Sequence, residues 1–516
     1  VGRVDDAASG EEGLRKLASG DYDIILCDYN LGPGRDGQQV FEEAKFRNHI
    51  RNSAVFMMIT AESSMGMVMG VLEYRPDGYL VKPFTRAVLE NRLEKLWERK
   101  NVFLEAETAV AEKDYWRALS ICDEKIANGS KKFIYDFLRL KAELLVRVGR
   151  LDEAEAAFGQ VLEARRLSWA LFGLGQVRFF QERYDEARDL FRQVVEENRV
   201  YMDAYDWLAR ALEKLGDLEE GQRVLSEAVS LSPKVIGRHK HLGEIALKNN
   251  DLSAADTAFS NAVKYGRGSC FKDPSDYARL AEIRVQTASA DEAIRVLWSA
   301  RKEFRGDPAA LVETRVMEER IYREDGRTAD AKKTAGEVLR LAREAGGKIR
   351  PAVALEVAQV AFGEGDVDYA KELLGDVIRN NHEDENLIQA VRNVFAGVDL
   401  GEEGSRMIDK VRQEVVGINN EGVALVEAGR LEEAIRYFEK AAEGLPQNRT
   451  VLLNASQAII MYLEKTEPTA ALVGRAKDYL DRAGRISGDD RKYQILRQRY
   501  ERLRAGWHPG KEQRVG

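Results

Sequence analysis

Three polar residues close three short apolar runs near the start of this 516-residue chain. Asp28 follows Ile24-Ile25-Leu26-Cys27, Thr60 follows Val55-Phe56-Met57-Met58-Ile59, and Lys82 follows Gly78-Tyr79-Leu80-Val81, at spacings of 32 and 22 residues. An acid, a hydroxyl and an amine suit the handling of a phosphoryl group. The carboxylate can attack phosphorus, and the hydroxyl and ammonium can bind phosphoryl oxygens, a task that is mainly positional and electrostatic.

The runs that carry these residues read as strands. Short, continuous and apolar, they are of the kind a parallel sheet buries on both faces. In an open α/β sheet, chemistry gathers outside the carboxyl ends of the strands, so three such ends would converge on one pocket.

With these positions in order, residues 1–98 resemble a two-component response regulator receiver domain, whose fold is an α/β, flavodoxin-like parallel sheet. The resemblance implies that Asp28 is the phosphoacceptor, Thr60 the switch hydroxyl, Lys82 the lysine before Pro83, and Tyr79 the aromatic switch. Ala61 and Glu62 fit the family's habits after the switch hydroxyl. It further implies a Mg²⁺ ion held by Asp28 with an acidic pair, and a sensor histidine kinase or phosphotransfer protein as phosphoryl donor. Two departures stand out. The loop from Asp28 to Asp36-Gly37 is one residue longer than the family's usual form and contains Gly32-Pro33-Gly34. The acidic pair is also absent from its expected place, because Asp5-Asp6 lies only 22 residues before Asp28. SGEEGLRKL, with a serine cap and a helical pattern, reads as the family's second helix, and VDDAAS as its second strand. The first strand and first helix therefore read as missing from a chain cut at its start. The alternative is a shortened domain that uses Asp5-Asp6.

The composition narrows the function classes. Cys27, Cys122 and Cys270 lie too far apart for a disulfide framework or a zinc spacing, and fit buried thiols in a reducing compartment. No apolar stretch approaches a membrane span and no signal peptide is visible, so a cytoplasmic location is expected. A net charge of −8 disfavours a nucleic-acid platform. There is no helix-turn-helix candidate and no catalytic output motif, and an enzyme is not expected.

Beyond residue 98 the chain repeats. GRLDEAEAAF, ERYDEARDLF, GDLEEGQRVL and NDLSAADTAF place small residues at Ala154, Ala187, Gly221 and Ala255, in steps of 33, 34 and 34. Small residues recur twelve positions earlier at Ala142, Gly175, Ala209 and Gly243, and Phe158, Phe191 and Phe259 recur four positions later. The period and pattern resemble the tetratricopeptide (TPR) helix-turn-helix unit. Looser steps of 38, 38 and 39 reach Ala293, Ala331 and Ala370. A regular unit returns with Gly422, Ala434, Phe438 and Pro446. Nine or ten units are expected over 99–485, irregular at 382–413, as a right-handed all-α superhelical solenoid of stacked pairs. Residues 486–504 read as a capping helix and 505–516 as a disordered tail. The helical pattern from Thr85 contains no Gly or Pro until Gly129, which predicts a receiver helix that abuts the first repeat, as a mechanical link or as a simple packed joint.

In the TPR unit that begins at 168, the positions that line the concave face are Trp169, Phe172, Gln176, Phe179 and Phe180. Arg139, Arg210 and Lys240 stand in equivalent rows of flanking units. They predict an aromatic floor with basic edges, a groove for an apolar side chain of a peptide or protein ligand, unless the helix is rotated and the aromatics are core. Asn420 and Asn454 are weaker candidates for holding a peptide backbone. His239 and His241, two apart on a helix, point to different faces and are not read as a metal site. Together these features describe a phosphorylation-regulated adaptor of a two-component phosphorelay whose output is protein binding, with no nucleic acid and no membrane insertion. The competing reading is a constitutive TPR scaffold whose incomplete receiver is only a docking domain.

Overall fold

The structure is a computed structural model that describes residues 2–61, 73–129, 131–466, 469–486 and 491–506. It divides into two compact units, Val1–Phe304 and Arg305–Gly516.

The first unit opens with helix α1 (Gly10–Ser19), whose N-cap Ser9 accepts from the Glu12 amide, as the serine signal predicts. Strands β1 (Ile24–Asp28), β2 (Val55–Thr60) and β3 (Gly78–Val81) form a parallel sheet in the order β1-β2-β3, with α2 (Gly37–Phe46) between β1 and β2. Only β2, the central strand, is buried along its whole length. Ile24 and Leu26 on β1 are 39% and 46% exposed, so the expectation that all three strands are covered on both faces holds only for β2. The predicted strand VDDAAS is not one: among the described residues, 2–7 pair with no sheet edge. With Val4 as its one strongly β-favouring residue, the segment is held by local polar contacts instead. Arg3 donates to Asp5, the Tyr22 hydroxyl donates to Asp5, and Lys16 binds the Asp6 carbonyl.

Helix α3 (Arg86–Ala111) runs unbroken from the sheet into the repeats, as the sequence pattern predicts. Arg92 near its start donates to the Tyr79 carbonyl, and Phe103 near its end stacks on Phe137 at 4.1 Å. Antiparallel helix pairs then follow: α4 (Tyr115–Asn128), α5 (Ile134–Arg147), α6 (Leu151–Ala164), α7 (Ser168–Phe180), α8 (Tyr184–Glu197), α9 (Met202–Leu215), α10 (Leu218–Leu231), α11 (Ile236–Lys248), α12 (Leu252–Gly266), α13 (Pro274–Thr287) and α14 (Ala290–Glu303). The repeated glycine and phenylalanine explain how two of these pairs close, α7 with α8 and α11 with α12. A Cβ on Gly175 would lie 2.6 Å from the Phe191 ring, and one on Gly243 would lie 2.5 Å from the Phe259 ring. The ring of the second helix fills the space that the first helix leaves by having no side chain there.

The second unit continues with α15 (Pro308–Glu324), α16 (Thr328–Ala345), α17 (Pro351–Gly363), α18 (Val367–Asn380), α19 (Glu385–Ala396), α20 (Gly401–Glu427), α21 (Leu431–Gly444), α22 (Arg449–Leu463), α23 (Ala470–Ile486) and α24 (Arg491–Gly506). The irregular stretch at 382–413 has a structural cause. Helix α20, 27 residues long, fuses the second helix of one pair to the first helix of the next. Its Ile408 and Val411 belong to a core that starts at Val312, and its Val415 to a core that ends at Tyr500. The expected capping helix is α24, which extends to Gly506, so the first two residues of the expected tail are helical; 507–516 lie outside the described residues. No helix among the described residues is long and apolar enough to cross a membrane.

Candidate functional site

The sheet register brings the three polar residues to one edge. Asp28 lies beside Ile59, Thr60 beside Val81, and the Lys82 amide donates to the Thr60 carbonyl at 2.7 Å. Neighbouring parallel strands are about 4.8 Å apart, so the ends of β1, β2 and β3 sit within one ligand's reach. Lys82 Nζ lies 2.5 Å from Asp28 Oδ2, and the Asn30 amide donates to Oδ1 at 3.2 Å. The carboxylate is thus oriented on both oxygens but remains about a third exposed, open to an incoming group. Thr60 is buried at the end of the central strand, and Tyr79, half-buried on β3 opposite Met58, packs against the receiver core. Burial pushes the Tyr79 phenol above its ordinary value. Ala61 follows β2; Glu62 lies outside the described residues.

Among the described residues, Asp28 is the one carboxylate at these three strand ends. Asp5 does not join it, since its partner Tyr22 stands before β1, at the end of the strand opposite Asp28. No group of three His, Cys, Asp or Glu residues suited to a metal ion occurs among the described residues. A Mg²⁺ ion is commonly held by one or two carboxylates with phosphate oxygens and waters, and Asp28 would be its protein ligand here.

The expected groove is built in part and filled in part. Arg139 lies over the Trp169 ring at 6.0 Å, and Phe179 and Phe180 meet Trp207 of α9 at 5.2 and 5.6 Å, with Arg210 over Trp207 at 5.0 Å. Phe180 is half-exposed. Phe172 is core instead: it is buried between Phe191, Tyr201 and Trp207. Gln176 is half-buried, and Lys240 is drawn away from the aromatics by Asp273 and Asp276. Trp207 was not among the expected residues, although its place at the sixth position of the next unit's first helix is legible in the sequence. Asn454 is buried and bonded to Asn419 and Lys492, whereas Asn420 is exposed, so the asparagine pair is Asn419 with Asn454. His239 stacks on Tyr265 and meets the Pro233 carbonyl, and His241 pairs with Glu213, which separates the two rings as expected.

The thiols differ in burial. Burial pushes Cys27 and Cys122 up to about 12, while Cys270 is half-buried and raised by burial and by Glu42 and Glu43. Because the thiolate is the reacting form, native-state alkylation read by peptide mass should modify Cys270 first, and Cys27 and Cys122 only after unfolding. Equal rates at the three sites would contradict the burial seen here.

Residues 1–94 match the response regulator receiver domain family, and residues 133–196, 172–235 and 418–443 match tetratricopeptide repeat families. Chemotaxis protein CheY of Pseudomonas aeruginosa is 32% identical over 96 residues, 19% of this chain and 76% of that protein. Chemotaxis protein CheY-3 of Vibrio cholerae is 33% identical over 94 residues, 18% of this chain and 71% of that protein. Among solved structures, the C-terminal part of a TPR repeat-containing protein from Cytophaga hutchinsonii aligns with a TM-score of 0.38 and 13% identity, over 46% of this chain and 95% of that one.

Proposed function

Since this chain belongs to the response regulator receiver family through residues 1–94 and carries tetratricopeptide repeats beyond them, we propose that it is a phosphorylation-regulated signalling adaptor. The observation that carries the reading is the 2.5 Å contact of Lys82 with Asp28, with Thr60 at the adjoining strand end. An Asp28 carboxylate oxygen attacks the phosphorus of a donor such as a phosphohistidine. A bond forms from that oxygen to phosphorus, and the donor's bond to phosphorus breaks with its electron pair leaving on the donor. Lys82, already beside the carboxylate, offsets the added negative charge, and the Thr60 hydroxyl hydrogen-bonds a phosphoryl oxygen. Mg²⁺, when bound at Asp28, supplies further charge neutralisation. The repeats give the output by binding a protein or peptide, with Trp169, Phe179, Phe180 and Trp207 as apolar contacts and Arg139 and Arg210 as basic ones. No catalytic output is proposed.

The competing reading, a constitutive scaffold with the receiver as a docking domain, draws on Asp28 being, among the described residues, the one carboxylate at the strand ends. Incubation of the full chain with acetyl phosphate, with and without Mg²⁺, separates the two by intact mass. A gain of one phosphoryl group that disappears in Asp28→Asn is expected. No gain under either condition would leave the scaffold reading standing.

A further inference from the structure

Two turns of the second unit that lie far apart in sequence are fastened to each other. Asn448, 1% exposed, caps α22 by accepting from the Val451 amide, and its Nδ2 donates to the Arg379 carbonyl at 2.7 Å. The same Nδ2 lies 3.1 Å from Nδ1 of His382, which is buried in the turn between α18 and α19. Around this pair, the Gln447 amide donates to Asn380 at 3.1 Å, and the Gln447 side chain donates to the Gly347 carbonyl at 2.9 Å. Arg449 and Thr450 both donate to Glu383 at 2.9 Å. These contacts skip the pair formed by α19 and the first half of α20. Alongside α20, they join the two cores through which that helix runs.

Each polar atom of the Asn448 side chain has a fixed role. Its Oδ1 faces a backbone N–H and accepts, and its Nδ2 faces a backbone carbonyl and donates. Nδ1 of His382 is therefore the acceptor, and the imidazole is neutral with its proton on Nε2. A second proton, on Nδ1, would set N–H against N–H. Rotation of the Asn448 amide cannot relieve this, because the cap on Val451 and the bond to the Arg379 carbonyl would both be lost. Burial holds His382 below its ordinary value; Glu383 opposes this, and Arg412 of α20 and Arg449 of α22 add to it. Of the other acids nearby, Asp384 is taken up as the cap of α19, and Glu385 pairs with Arg412. Glu383, 3.8 Å from Nε2, is already engaged by Arg449 and Thr450, so drawing it to an imidazolium would weaken those two links as well. A cavity of about 380 Å³, lined by His382, Glu383, Asn448 and Arg449, gives protons access to the ring.

The geometry points to a proton-operated clamp: with His382 neutral the two turns are locked together, and uptake of a proton on Nδ1 parts them, so that α20 is left to carry the connection between the two cores. The sign follows from linkage. With the clamp open the imidazole regains its ordinary value of 6.5, so the open form binds more protons than the closed one. The clamp is closed above that pH and loosens as pH falls below it, through the lower value of the closed form. It does not depend on the phosphoacceptor reading.

Histidine Cε1 exchange in the full chain, followed by peptide mass, reads each imidazole without any substitution, and His382 should titrate below 6.5. Backbone amide exchange is then compared at about pH 7.5 and about pH 5.5, on either side of the ordinary histidine range, with times scaled for the chemical rate. Protection of the Gln447 and Val451 amides, read in peptides over 446–452, should fall roughly threefold or more at the lower pH, as expected for a local opening linked to one proton. The α7–α8 pair of the first unit should keep its protection. In His382→Gln, which cannot take up the proton, the same peptides should show no such response. A His382 value at or above 6.5, or equal protection at both pH values, would overturn the clamp. So would a fall of the same size in His382→Gln, which would place the proton on another group, and so would a fall shared by α7 and α8, which would be general loosening in acid.

Discussion

Phe191→Ala should lower the stability of the first unit by about 3–5 kcal/mol, the usual cost of emptying a buried phenylalanine site. Phe191 is fully buried, sits over Gly175, and contacts Phe172 at 5.6 Å and Trp207 at 5.9 Å. It thereby joins α7, α8 and α9, and the cavity left behind cannot collapse without parting two repeats. Each repeat is stable only through its neighbours, so the loss should spread to both sides. Hydrogen exchange should show α7, α8 and α9 losing protection together. Phe180→Ala, at a half-exposed site one turn from the same cluster, should cost about 1 kcal/mol or less. If the two variants lost the same stability, the Gly175–Phe191 junction would not be the core contact described.

Gly37→Ala should slow phosphoryl acceptance at Asp28 about 100-fold, although it adds a single methyl group. That methyl would lie 2.1 Å from the Asp28 carbonyl oxygen and 3.0 Å from the Tyr29 Cα, both of them backbone. The Gly37 amide donates to the Tyr29 carbonyl at 2.8 Å, and Asp36 caps α2 in a reciprocal box with Gln39. No rotamer relieves a clash between backbone atoms, so the strand end must move and carry the Asp28 carboxylate away from Lys82. Gly13→Ala is the control. Its nearest neighbour would be the Ala7 Cβ at 3.9 Å, and an alanine within α1 should be neutral or stabilising by about 0.5–1 kcal/mol. Intact mass after acetyl phosphate gives the rate, and hydrogen exchange over 28–46 tells a displaced loop from an unfolded domain. Normal acceptance in Gly37→Ala would mean that the loop after Asp28 has slack that the structure does not show.

The chain by itself determined the features that repeat or end locally. Asp28, Thr60 and Lys82 could be placed at strand ends because a short apolar run followed by a polar residue is a local signal, and parallel pairing then brings the ends together. The repeats were legible for the same reason. A small residue sixteen positions ahead of a phenylalanine, as in Gly175 with Phe191 and Gly422 with Phe438, is a contact within one helix pair. Local pattern also gave Ser9 as a cap and α3 as one continuous helix.

Only the tertiary structure decided what depends on distant partners. Whether VDDAAS forms a strand depends on pairing with a sheet edge, and among the described residues it pairs with neither β1 nor β3. Phe172 became core because Tyr201 and Trp207 of the next unit close over it, and Asn454 chose Asn419 through the phase of a helix that runs unbroken across two repeats. The contacts between the receiver and the repeats are the extreme case. Arg35 meets the Gly268 carbonyl 233 residues away, and Lys234 and Arg238 carry no motif that marks them. Charged side chains in a turn and at a helix start look like solvated surface in sequence. They become part of a site only when the fold brings Asp36 and Glu73 within hydrogen-bonding distance of them.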